Sequence, residues 1–141
     1  MEDLNVKILR GTVVGGIVVF LVGWLIYGVL LMDYMKANMN QCTARPEGVM
    51  IWWAMIASQF LSALLLTLVL KWSGAKGIAD GLKTGALFGI LLGASMDLSF
   101  WSMTTLYNNL GVLAVDVVVY TLLMAVMGMV IVLVWGKDNA A

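Results

Sequence analysis

Four long apolar runs, separated by short polar and charged stretches, set the rhythm of this chain. They lie near 11–32, 50–70, 84–106 and 112–135, and each reaches the roughly 20 residues that a helix needs to cross the hydrocarbon core of a bilayer. Backbone groups in lipid must find their hydrogen bonds within the segment. The pattern therefore predicts an all-α membrane protein: one domain over 1–141, with four transmembrane helices in an up-down-up-down bundle. A long outer loop spans 33–49, and the turn between the last two spans is the short "YNNLG". The first run follows Lys7 and Arg10, but it is too long for the apolar core of a signal peptide. The following "MDYMKANMNQC" offers no small-residue cleavage site, so the run is read as a retained span.

The positive charges orient the spans. Lys7, Arg10, Lys71, Lys76, Lys83 and Lys137 fall on one side and only Lys36 and Arg45 on the other, which predicts that both termini are cytoplasmic. Trp52, Trp53, Trp72, Trp101, Trp135 and Tyr107 lie near span ends, where an interfacial aromatic belt belongs. Composition narrows the function classes. Mean hydropathy is +1.00 and charged residues make up 11% of the chain, far below the roughly one quarter of soluble domains. There is no histidine and one cysteine, Cys42, so an intrachain disulfide and histidine-based metal or base chemistry are excluded. A net charge of zero without a basic block gives nucleic acid no footprint. Ser95, Ser99 and Ser102 have no activating His or Lys beside them, and methionines such as Met124, Met127 and Met129 read as packing rather than a metal relay. Neither an enzymatic constellation nor a metal or cofactor site is expected.

In the third span Gly81, Gly85, Gly89 and Gly93 recur every fourth residue, and the next step in that series is Asp97. Such a ladder marks a helix face that another backbone approaches closely. Gly11, Gly15 and Gly23 of the first span correspond to Gly81, Gly85 and Gly93 at a constant offset, with Tyr27 standing where Asp97 stands. The two halves are therefore compatible with a parallel repeat of helical hairpins. The segments "GWLIYGVLLMDYM" (23–35), "KGIADGLKTGALFGILLG" (76–93) and "VDVVVYTLLMAVMG" (115–128) resemble a group of uncharacterised small four-span bacterial integral membrane proteins. That resemblance implies the same fold and a multi-pass location in the bacterial cytoplasmic membrane, and it carries no assigned reaction.

Two acids lie inside the predicted spans. Counting about 1.5 Å per residue, Asp97 is on the order of 13 Å below the outer boundary and Asp116 about 6 Å below it, and every Lys and Arg lies outside the spans or at their ends. Carboxylates in that position must be protonated, cation-bound, hydrated or hydrogen-bonded. By depth, Gln59 and Tyr120 match Asp97, and Tyr27 matches Asp116, which predicts one polar cluster of Asp97, Gln59, Asp116, Tyr27 and Tyr120, with Thr104 and Thr121 as extensions. Two functional readings follow. In the first, the bundle acts by helix–helix association, as a homo-oligomer or with another membrane protein, through the glycine stripe. In the second, it passes protons, small cations or a cationic solute through the cluster around Asp97.

Overall fold

The computed structural model describes residues 4–46 and 48–136, so the orienting charge Lys137 lies outside the described residues. The chain is all-helical over that range. Helix α1 (Leu4–Leu25) continues into a π-helical turn (Ile26–Leu30), followed by α2 (Met32–Asn38), a 3-10 turn (Gln41–Thr43), α3 (Trp52–Trp72), α4 (Ile78–Met103) and α5 (Leu110–Trp135). Four segments are long and apolar enough to cross a membrane: Leu4–Leu30, Trp52–Trp72, Ile78–Met103 and Leu110–Trp135.

Three of these helices begin earlier than the apolar runs do, and two of the three take in charged residues. Lys7 and Arg10 lie within α1, and Asp80 and Lys83 within α4. Charge ends the lipid-compatible stretch, but it does not end a helix whose backbone bonds continue into water. Asp80 helps to start α4, its carboxylate accepting from the backbone N–H groups of Lys76 and Gly77 at 3.0 and 3.2 Å. At the start of α5 the Asn109 side chain accepts from Val112 N–H at 3.0 Å. That helix stops at Gly136, where φ is +73° and a side chain would be strained. The short α2 falls, apart from its first residue, in the segment 33–49 that the hydropathy pattern reads as a loop.

The most deeply buried of the long helices is α5, flanked by α4 on one side and α1 on another, while α3 packs mainly on α1. On α4, Gly81, Gly85, Gly89 and Gly93 are all buried. A Cβ placed at Gly81 would lie 2.5 Å from the Gly128 carbonyl oxygen, one at Gly89 would lie 2.8 Å from Thr121 Cα, and one at Gly93 would lie 2.9 Å from the Tyr120 ring. Rising residue numbers on α4 thus meet falling ones on α5, and the backbones approach as closely as a small-residue face permits. The stripe is engaged within the chain. Gly11 and Gly15 of α1 meet the same helix, at Ile131 and Met127. Around these contacts Leu66, Leu70, Met127 and Ile131 are wholly buried, and Trp135 Nε1–H donates to the Lys7 carbonyl at 2.9 Å, which closes that end of the bundle.

Candidate functional site

The opposite end of the bundle is tied together by its loops. Met39 and Tyr107 form an isolated antiparallel bridge, Asn40 N–H donates to the Leu106 carbonyl at 2.7 Å, and Asn108 N–H donates to the Asn38 carbonyl at 3.0 Å. Asn109 reinforces this clasp, its side-chain amide donating to the Asn38 side-chain oxygen at 3.1 Å. The segment after α2 therefore clasps the turn between α4 and α5, and Tyr107 packs against Met35, Val112 and Leu113. Its ring is held at the mouth of the α4–α5 hairpin with its hydroxyl turned inward.

That hydroxyl stands between the two acids, 2.9 Å from Asp97 Oδ1 and 3.0 Å from Asp116 Oδ2. The other oxygen of Asp116 accepts from the Tyr27 hydroxyl. The result is an unbroken chain, Tyr27–Asp116–Tyr107–Asp97, assembled from the π-helical turn, α5, the α4–α5 turn and α4. Asp97 and Tyr107 are buried, whereas Asp116 and Tyr27 are half-buried. Tyrosine hydroxyls on both sides supply these contacts to the two acids.

The proton count of this chain is informative. Three links each require a proton, and the two phenols supply two, so 3 − 2 = 1 proton must come from a carboxyl group. Tyr107 does not provide the deficit by ionising. Burial, and then its hydrogen bond to Asp97, push its phenol above the ordinary value. The full set of bonds therefore corresponds to one protonated and one ionised aspartate. A proton on Asp97 is donated to Tyr107, which donates to Asp116; a concerted shift along the same bonds leaves the proton on Asp116 and reverses both links. Tyr107 is neutral in both arrangements.

Of the residues expected to cluster, the structure brings together Asp97, Asp116 and Tyr27. Gln59 does not join them: Asp97 bonds to Tyr107, and Gln59 lines a separate cavity of about 530 Å³ with Tyr27 and Tyr120. Depth along a helix fixes height but not azimuth, and α3 packs on α1 rather than beside Asp97. Tyr120 instead lays its ring against Gly93. Thr104 and Thr121 donate back to Phe100 and Val117 of their own helices, each at 2.7 Å, and extend no network. Tyr107, read from sequence as a belt residue, is the link that was missed. Its sequence signal is position: it lies ten residues after Asp97 and nine before Asp116, where a hairpin turn brings it to both.

A second cavity, of about 460 Å³, reaches Asp116 from the loop end, lined by Tyr27, Met35, Lys36, Met39, Leu106 and Asp116 among others. Among the described residues no cluster of three His, Cys, Asp or Glu side chains forms. No protein-family model, curated protein or solved structure matches the chain.

Proposed function

We propose that this protein is a small proton-linked membrane carrier whose working group is the Asp97–Tyr107–Asp116–Tyr27 chain. The observation that carries this reading is the single Tyr107 hydroxyl lying within hydrogen-bond distance of both carboxyl groups, an arrangement that holds one exchangeable proton inside the bundle. Asp116 meets the loop-end cavity and exchanges protons with it. Asp97, buried behind Tyr107, is the inner terminus of the relay. The tightly packed opposite half of the bundle argues against an open pore and for a carrier with one end accessible at a time.

In this reading the helices run up-down-up-down in the bacterial cytoplasmic membrane with both termini cytoplasmic, so the relay opens outward. The matching glycines on α1 and α4, which both pack on α5, agree with an ancestral duplication of a helical hairpin. The alternative, function through association with a second copy or another membrane protein, has to use other faces, because α5 already covers the glycine stripe.

The test is proton uptake by the protein reconstituted in liposomes after a rapid pH jump. Wild type is expected to take up protons with a midpoint that depends on both acids, Asp97→Asn is expected to abolish the uptake, and Tyr107→Phe is expected to slow it. Equal uptake by wild type and Asp97→Asn would overturn the reading.

A further inference from the structure

The cavity beside Tyr27 has the properties of a ligand site rather than a packing defect. Its volume of about 530 Å³ lies within the range of small-molecule pockets, and its walls include Trp24, Trp52, Tyr27, Tyr120, Met55 and Gln59. Neither the Gln59 amide nor the Tyr120 hydroxyl makes a side-chain hydrogen bond among the described residues. Two polar groups without partners, facing one apolar cavity in membrane-spanning helices, are costly unless something polar comes to them.

The wall nearest the acids is a π-helical turn: Leu31 N–H reaches back five residues to the Ile26 carbonyl at 2.8 Å, and Tyr27 and Gly28 of this turn both line the cavity. Such turns widen a helix locally and recur at functional sites. No Lys or Arg lines the cavity. Tyr27 is shared: one side of it faces the cavity, and its hydroxyl donates to Asp116. A cavity lined by aromatic side chains, one of them hydrogen-bonded to Asp116, is complementary to positive charge.

We propose that this cavity binds a hydrophobic organic monocation, with the aromatic rings facing its charge, Gln59 and Tyr120 offering polar contacts, and Tyr27 coupling its arrival to proton loss from the aspartate pair. This assignment rests on the proton-linked reading above and names its substrate class. The groups that face the Asp97–Asp116 pair are Tyr107 from the α4–α5 turn, Tyr27 from the π-helical turn, Tyr120 from α5, and Lys36 of α2 at the loop-end cavity. Cation binding and protonation then compete: M⁺ enters as one H⁺ leaves, and net charge is conserved.

The experiment is calorimetric titration of the full chain in lipid nanodiscs with tetraphenylphosphonium, and with neutral triphenylphosphine oxide, at pH 5 and pH 8. The cation is expected to bind about tenfold or more tightly at pH 8 than at pH 5 and to release protons, with the neutral analogue about tenfold weaker. Gly23→Leu, which projects into the cavity where the nearest atom to a Cβ is 3.9 Å away, is expected to abolish binding, and Gln59→Leu to weaken it, while both retain ligand-free proton uptake. Equal binding of cation and neutral analogue, undiminished binding by Gly23→Leu, or no cation binding by a wild type that still takes up protons would overturn the assignment. Loss of ligand-free proton uptake in the wild type would instead overturn the relay itself.

Discussion

Replacing Gly89 by alanine tests how the hairpin holds the two acids in register. The added Cβ would lie 2.8 Å from Thr121 Cα and 2.9 Å from Met124 Cβ, against an ordinary contact of at least 3.4 Å. The first of these neighbours is backbone, so no rotamer change relieves it. The deficit is 3.4 − 2.8 = 0.6 Å, and α4 must move away from α5 by about that much. Close-packed interfaces do not absorb such shifts cheaply, and overpacking costs typically 1–3 kcal/mol, offset in part by the roughly 1 kcal/mol by which alanine exceeds glycine in helix propensity. A net loss of up to about 2 kcal/mol is therefore expected. The control is Gly23→Ala, whose new Cβ meets nothing closer than Leu123 Cδ1 at 3.9 Å, so stability there should be unchanged or slightly raised. Unfolding of both variants in mixed micelles measures the difference. The same displacement should also weaken the Tyr107 bridge two turns away, and slower proton uptake by Gly89→Ala would report it. Stabilisation of Gly89→Ala to the level of Gly23→Ala or beyond would refute the close backbone contact.

Other outcomes follow from the site and the clasp. Tyr107 lies outside the spans with its phenol held above the ordinary value by burial and by Asp97, so the folded state binds its proton more tightly than the unfolded state does. Its contribution to stability is present below about pH 10 and lost as pH rises through the folded value; Tyr107→Phe should lose that alkaline dependence in thermal unfolding at graded pH. Removing the Tyr107 hydroxyl also breaks two bonds to acids, one to an ionised and one to a protonated carboxyl, and a cost of about 2–4 kcal/mol near neutral pH is expected from one charge-assisted and one neutral bond. Asn109→Ala removes both an α5 cap and the bond to Asn38 and should cost about 1–2 kcal/mol, measurable by the same unfolding assay. Trp135→Phe deletes one hydrogen bond to the Lys7 carbonyl at the opposite end; it should cost about 1 kcal/mol and leave proton uptake unaltered.

The helices were legible because the bilayer imposes one length and one hydrogen-bonding solution on each apolar run. All four runs correspond to long helices, with shifts where charged residues such as Lys7 or Asp80 belong to the helix but not to the apolar stretch. The glycine ladder was legible as a contact face, but its partner was not. Small residues state that something comes close, and only the fold places Gly128 and Thr121 there. Asp97 and Asp116 announced themselves by cost. Their partners were recoverable only by depth, which found Tyr27 but credited Gln59, since depth leaves rotation about the helix axis undetermined. Tyr107 was hidden for a different reason: the clasp by Asn38 and Asn40 that turns it inward consists of backbone bonds between loops distant in sequence, and no periodicity records them.

The most direct measurement is the infrared spectrum of the reconstituted protein near neutral pH, in the carbonyl region where protonated carboxyl groups absorb apart from ionised ones. One protonated carboxyl per chain is expected in the wild type, sensitive to Tyr107→Phe and absent when Asp97 and Asp116 are both replaced by asparagine. A wild-type spectrum with no protonated carboxyl, or with two, would contradict a single proton shared along the Tyr27–Asp116–Tyr107–Asp97 chain.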